Sequence, residues 1–327
     1  MKFNPADFYK KEILKFEKKY YKVVEGRIPK SLYEPCDYII KSGGKRLRPF
    51  LVILSANAVN AKSITVLNAA VAVELFHNFT LVHDDIMDNA DKRRGRETLH
   101  IKYDVNTAIL AGDNLMALAY ESLLKDCKSN CKSSVEDFTK GLVEVCEGQS
   151  LDKDFEVRKN VTLDEYLIMI SKKTAALAET CCSIGAKLGG GNKNEIASLK
   201  RFGKYLGLAF QIQDDLLDIA ADEAEFGKSV GGDLKKKKKN FLLLKALEKA
   251  KGNDKKLIQN VIDKNGIKKN EIAKYKNLYF DLGVIDDASD EVKKYTTLAL
   301  KQLKNINNKK AKLTLEWLAH SLTDRKK

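Results

Sequence analysis

Along most of the chain, apolar residues recur at intervals of three and four, the spacing that lines one face of an α-helix. Over residues 6 to 24 the stripe is Phe8, Ile13, Phe16, Tyr20 and Val23, which predicts a first helix ending near Gly26. Residues 51 to 88 predict one or two long apolar helices that finish in VAVELFHNFTLVHDDIMD. Further helices are predicted over 105–126, 134–154, 162–188, 194–219, 240–250, 255–263, 269–281, 288–304 and 310–321. Nothing alternates convincingly between apolar and polar at period two, as a half-buried strand would.

The breaks between these segments are the turn-rich stretches KSGGKR, DNADKRRGRE, CKSNCKSS, LGGGNKN and ADEAEFGKSVGGDLKKKKK. None is a long low-complexity linker, so residues 1–327 read as a single domain. Proline use strengthens the helical reading. The four prolines, Pro5, Pro29, Pro35 and Pro49, all precede residue 50, and helix interiors exclude proline because it removes a donor and clashes with the preceding turn. The fold class expected is all-α.

Composition narrows the picture further. With 44% hydrophobic and 32% charged residues, the 327-residue chain can bury a large core, which excludes a disordered or fibrous protein. The net charge of +14 lies entirely in residues 234–327, which carry 25 Lys and Arg against 11 Asp and Glu. Those lysines are spread at helical spacing, apart from Lys235 to Lys239, with few aromatic residues among them. They read as a solvated surface with at most weak membrane-surface contact, and no nucleic acid partner is expected. Cys36, Cys127, Cys131, Cys146, Cys181 and Cys182 form no CxxC pair and read as free thiols. The N-terminus lacks the apolar stretch of a signal peptide. TVLNAAVAVELF, broken by Asn68 and Glu74, is too short to span a bilayer. No transmembrane segment and a cytoplasmic location are expected.

The chemistry lies in two acidic clusters, HDDIMD at 83–88 and QDDLLD at 213–218. Crowded carboxylates in apolar helices repel one another and resist burial, so something must compensate them. On a helix Asp84 and Asp88 lie about 40° apart, and His77 falls about 20° from Asp84 on the same stripe. Gln211, Asp214, Asp215 and Asp218 share an arc of about 100°. Hard divalent cations favour such oxygen ligands, and Mg²⁺ in particular is shared between a few carboxylates and substrate phosphates. Neither cluster has the spacing of an EF-hand. Cations suited to phosphate sit at the helix breaks: Lys45, Arg46 and Arg48 in GGKRLRP, Arg93 and Arg94 after the first cluster, and Lys228 and Lys238 around GKSVGGD. Lys173 and Thr174 lie inside the 162–188 helix. GGKR lacks the spacing of a Walker loop.

GGKRLRP, HNFTLVHDDIMDNADKRRG, GQSLD, KKTAALAE, FQIQDDLLD and FGKSVGGDLKKKK occur in the order, and nearly at the spacing, of the trans-polyprenyl diphosphate synthases. The resemblance covers almost the whole chain and is closest to the short-chain, archaeal geranylgeranyl type. It implies an all-α isoprenoid-synthase bundle around a central apolar cavity, usually homodimeric. It implies that Asp84, Asp88, Asp214 and Asp218 bind several Mg²⁺ ions bridging an allylic diphosphate, with Asp85 and Asp215 assisting. Lys45, Arg48, His77 and Arg94 match positions that bind isopentenyl diphosphate. Arg93, Lys173, Lys228 and Lys238 match those that hold the allylic diphosphate, while Thr174 and Gln211 match polar groups beside the developing cation. The sequence departs from the family pattern after Asp233, where Lys237 replaces a glycine and Asn240 a threonine; the offset from Asp233 favours Lys238 as the lysine of the segment that closes the site, residues 222 to 239.

The implied reaction ionises the allylic diphosphate, condenses the cation with isopentenyl diphosphate and eliminates a proton to the departing diphosphate. An aromatic Phe79 five residues before the first motif, with Thr80 beside it, resembles the C20 type, and Phe76 lies one turn deeper. The expected product is mainly geranylgeranyl diphosphate, against a farnesyl (C15) or mixed C15/C20 alternative. An ionising terpene cyclase, with one diphosphate site, leaves GGKRLRP, His77 and Arg94 without a role. A basic nucleic-acid-binding scaffold leaves both acidic stripes unexplained.

Overall fold

The computed structural model describes residues 3–127, 131–220, 231–263 and 266–323, whose regular structure is helical apart from one minute hairpin. Asn4 opens α1 (Pro5–Tyr20), its side chain accepting from the Ala6 amide at 3.0 Å, with Pro5 in the first turn where its missing N–H costs nothing. Then follow α2 (Lys30–Ile40), α3 (Leu47–Ala58), α4 (Leu67–Met87), α5 (Leu99–Lys102) and α6 (Val105–Asp126). After them come α7 (Cys131–Val157), α8 (Leu163–Ile170), α9 (Ala176–Leu188) and α10 (Lys193–Ala220). Helices over Gly232–Lys235, Phe241–Lys249, Gly252–Asp263, Ile272–Asp281, Val284–Gln302 and Lys309–Thr323 follow. The all-α expectation holds.

Two compact units emerge. The first comprises residues 1–142, 180–200 and 305–315, the second residues 143–179, 201–304 and 316–327, so α7, α9 and α10 each contribute to both. In the first unit α4 is the core helix, packed against α1, α3 and α6. By length and composition alone Ser63–Met87 is apolar enough to cross a membrane. Most of it is buried inside the structure, which is how the core helix of a globular unit behaves. The start of α4 has no cap of its own, and Asp126 at the end of α6 supplies one, accepting from the Ala69 amide at 2.8 Å and from Asn68 Nδ2 at 2.6 Å. The α6 backbone comes so close to α4 that a Cβ on Gly112 would lie 2.3 Å from the His83 ring.

In the second unit α8 begins with a reciprocal cap: the Thr162 amide donates to Glu165 and the Glu165 amide to Thr162, at 2.8 and 3.2 Å. Where one helix is expected over 162–188, the ladder widens into a π turn at Ser171–Ala175 before α9 resumes. The core of this unit gathers Phe155, Tyr166, Ile212, Leu216, Phe241, Leu243 and Tyr279. All six cysteines are free thiols.

Candidate functional site

In the first unit the loop before α3 and the middle of α4 assemble a cationic cluster. Gly43 and Gly44 have φ of +79° and +128°, and Arg46 follows in the left-handed region at φ 47°, ψ 36°. Arg48 Nη1 lies 3.2 Å from His77 Nε2 on α4. Arg94 donates to the Gly43 carbonyl and, at 3.2 Å, to Ser42 Oγ; a Cβ on Gly44 would come 2.9 Å from its guanidinium carbon. Burial, followed by Arg48, Arg94, Arg93 and Arg46, holds the His77 imidazole well below its ordinary pKa, so it is neutral at physiological pH. Four arginines near enough to act on this imidazole make the local charge positive, the environment an anionic ligand requires. Lys45 is exposed beside this cluster, and Tyr9 of α1 donates its hydroxyl to the Lys45 carbonyl. Arg46 does not join its neighbours: it is drawn inside, 2% exposed, and donates to Glu74 at 2.7 Å.

The RRG sequence makes a hairpin. Lys92–Arg93 pairs with Arg96–Glu97 across Arg94 and Gly95, at φ 53° and 76°, the positive values of a tight two-residue turn. These strands are too short and too charged for period two to appear in the sequence. The hairpin returns Arg93 to the first acidic motif, where its Nε and Nη2 both lie 2.7 Å from Asp85 Oδ1. Asp85 is buried, whereas Asp84 is half-buried and Asp88 exposed. The motif closes α4, with Asp88 as its C-cap. A helix C-terminus carries partial negative charge, so Asp84 and Asp88 stand where anions are least welcome without a cation.

The second acidic motif repeats this division in the second unit. Asp215 is 4% exposed and accepts from the Tyr166 hydroxyl, from the Phe241 amide at 3.0 Å and from Gln211 Nε2 at 3.1 Å. Asp214 and Asp218 are half-buried. Asp218 accepts the Asp233 amide at 3.0 Å, and Asn240 Nδ2 donates to the Asp233 side chain at 3.0 Å while its own side chain caps the Phe241–Lys249 helix. Asn240 thus has a definite structural task at the position where the family pattern has threonine. Burial and then the neighbouring Asp233 push the Asp215 carboxyl up to about 7 and that of Asp218 up to about 6.

The π turn carries Lys173 and Thr174 in the same unit. Lys173 Nζ lies 2.5 Å from Asp152 of the GQSLD segment, and Thr174 donates to Gln211 Oε1 at 2.8 Å. Two glycines that periodicity does not single out hold the turn. A Cβ on Gly148 would sit 2.2 Å from the Lys173 nitrogen, and one on Gly207 2.6 Å from the Ala175 Cα. In the lysine run the Lys238 amide donates to the Asp233 carbonyl at 2.9 Å, and Lys239 points inward to the Phe155 carbonyl. Lys228 and residues 222–230 of the expected closing segment lie outside the described residues.

Phe79 is half-buried on α4, its ring 4.6 Å from that of His83 and 6.4 Å from that of Phe76. Phe76 is fully buried and meets Phe138 edge-on at 5.4 Å. Of the two rings expected to bear on product length, Phe76 is the deeper and Phe79 the more accessible. The signals that would have revealed Glu74, Tyr166, Gly148 and Asp233 are long-range contacts, absent from local spacing.

Among the described residues no three His, Cys, Asp or Glu side chains converge on one point. The outer aspartates nevertheless fit Mg²⁺: they are hard oxygen donors on helix-end stripes, and this ion completes its octahedron with waters and substrate phosphates.

A polyprenyl synthetase family profile matches residues 29–279. A geranylgeranyl diphosphate synthase of Methanosarcina mazei is 46% identical over 223 residues, 68% of this chain and 69% of the relative. One from Sulfolobus acidocaldarius is 38% identical over 290 residues, covering 88% of this chain and 87% of its own. The crystal structure of a geranylgeranyl pyrophosphate synthetase from Pyrococcus horikoshii superposes with a TM-score of 0.93 at 36% identity, covering 98% of each chain.

Proposed function

The chain belongs to the polyprenyl synthetase family, and from that premise we propose that it condenses isopentenyl diphosphate with allylic diphosphates in a Mg²⁺-dependent reaction, to give mainly geranylgeranyl diphosphate. It is a prenyltransferase. The observation that carries the two-substrate reading is the cluster of Arg48, Arg94 and neutral His77, in which Arg48 from α3 and Arg94 from the hairpin accompany His77 on α4, about two turns before the carboxylates at the end of that helix. One unit thus offers direct cationic binding for one diphosphate and a carboxylate stripe for a metal-bridged one. A terpene cyclase, with a single diphosphate, needs only the second.

When bound, Mg²⁺ neutralises the leaving diphosphate and so favours ionisation of the allylic C–O bond. Lys45, Arg48 and Arg94 hold the other diphosphate by charge-assisted hydrogen bonds, with neutral His77 as a polar partner. Thr174 commits its hydroxyl proton to Gln211, which leaves its oxygen lone pairs to face developing positive charge. Gln211 is itself fixed by Asp215, so the Thr174 dipole is set before substrate arrives. Phe79 would stop the growing chain.

Turnover of an allylic diphosphate with and without isopentenyl diphosphate tests the proposal. Elongated product only when both are present supports it, and cyclised or hydrolysed product from the allylic substrate alone defeats it.

A further inference from the structure

Between the phosphate-binding loop and α4 lies a buried ion pair that the reaction itself does not use. Arg46 Nη1 donates to Glu74 Oε1 at 2.7 Å, Nη2 to the Ile40 carbonyl at 3.1 Å and Nε to Glu17 Oε1 at 3.3 Å. Its guanidinium carbon stands 5.0 Å from the centre of the Tyr20 ring and 6.0 Å from that of Tyr21. Arg46 is the residue that precedes α3, and its backbone is left-handed, a conformation an arginine keeps only when its surroundings impose it. Lys45 precedes it and Arg48 follows two residues later. Glu74 stands three residues before His77, so the two share one face of α4. The pair therefore cross-links the loop to α4 one turn from the point where Arg48 meets His77.

Both charges are nearly excluded from solvent, at 2% exposure each. A buried ion pair of this kind is a poor source of net stability, since apolar side chains of similar volume would do as well. Its value lies in fixing a register, because a charge taken from water tolerates only the geometry that satisfies it. We propose that the Arg46–Glu74 pair is a positioning device that fixes Lys45 and Arg48 for the diphosphate of isopentenyl diphosphate, so that Glu74 sets affinity for that substrate without touching it. The inference rests on the proposed function, which assigns the loop to isopentenyl diphosphate. α1 belongs to the same device, through Glu17, Tyr20 and the Tyr9 hydroxyl on the Lys45 carbonyl.

Steady-state kinetics of full-length Glu74→Gln, with each substrate varied in turn, tests it. The expected result is a KM for isopentenyl diphosphate raised ten- to a hundredfold, with the allylic KM and kcat changed by less than threefold. A double variant, Arg46→Met with Glu74→Leu, replaces the pair by apolar groups and keeps the thermal midpoint near that of the parent, yet shows the same rise in KM. A folded variant with an unchanged KM for isopentenyl diphosphate overturns the proposal. So does a parallel fall of kcat, both affinities and the thermal midpoint, the mark of a merely structural pair. Lys45→Ala separates the two levels: if it leaves that KM unchanged, the assignment of the loop fails. If it raises KM while both Glu74 variants do not, only the positioning role fails.

Discussion

A Cβ built on Gly148 of α7 lies 2.2 Å from the backbone nitrogen of Lys173, so the π turn that presents Lys173 and Thr174 exists only because that helix has no side chain there. Ala175 presses on Gly207 of α10 in the same way, and the turn is clamped between two bare stretches of backbone. Single π turns inside α-helices are uncommon and concentrate at functional positions, since the extra residue re-aims the side chains that follow.

Gly148→Ala should therefore push Lys173 and Thr174 out of place. We expect kcat to fall at least tenfold and the thermal midpoint to drop by several degrees, as overpacking a close helix contact costs about 1–3 kcal/mol. Ala at Gly190, where nothing lies within 4 Å of the new Cβ but φ is +81°, is the control: it should lower stability by strain and leave kcat alone. Equal kinetic effects at the two positions would show that the π turn has no particular role.

The three aspartates of each motif divide their work. Asp85 and Asp215 are buried and held by donors, Arg93 for the first and Tyr166, Gln211 and the Phe241 amide for the second, whereas Asp84, Asp88, Asp214 and Asp218 retain access to solvent. Asp215→Ala strands the Tyr166 hydroxyl and the Phe241 amide, each an unsatisfied buried group worth about 1–3 kcal/mol, so chemical denaturation should register a large loss of stability. Asp214→Ala should leave the denaturation midpoint within experimental scatter while abolishing most turnover. A reversal of these two phenotypes would contradict the division.

The acidic cluster of the second unit also predicts a linkage between pH and metal. Burial and Asp233 raise Asp215 to about 7 and Asp218 to about 6, whereas carboxylates in an unfolded chain ionise near pH 4. Between those values the unfolded state holds fewer protons, so these groups stabilise the fold below about pH 4 and that contribution is lost as pH rises toward 7. A cation would restore it by favouring the ionised form. Thermal midpoints with Mg²⁺ and with EDTA should accordingly separate more at pH 8 than at pH 5, and a separation that is largest at pH 5 would rule out metal binding by these carboxylates.

The helical periodicity in the sequence carries most of the fold, and the reasons for its failures are physical. Helix α2 is not predicted because Pro29 and Pro35 signal a break: Pro29 is its N-cap, where proline is tolerated, but Pro35 lies inside the helix, where local pattern argues against it. The π turn is silent because one inserted residue barely shifts a three-and-four pattern already dense in apolar positions. At the site, the aspartates and the basic residues are legible from spacing, charge and family resemblance. That Arg46 turns inward while Arg48 turns to His77 is not, because it depends on Glu74, which is 28 positions away in sequence.

Phe79 bears the product-length expectation. Its ring is half-buried and tilted against that of His83, while the buried Phe76 ring meets Phe138 edge-on. Phe79→Ser should lengthen the product ladder to C25 and beyond, and Phe76→Ala should chiefly destabilise, by about 3–5 kcal/mol for a buried aromatic. If Phe79→Ser stays folded and active with an unchanged ladder, the stop lies on another helix.

The central claim is that this chain elongates an allylic diphosphate with isopentenyl diphosphate and stops mainly at C20. Reverse-phase chromatography of dephosphorylated products, after incubation of the full chain with labelled isopentenyl diphosphate, Mg²⁺ and each of the C5, C10 and C15 allylic starters, measures it directly. The account predicts label in geranylgeraniol as the main product from every starter, with some C15 from the shorter ones. Label confined to unreacted isopentenyl diphosphate, or a ladder whose main product is not C20, would contradict it.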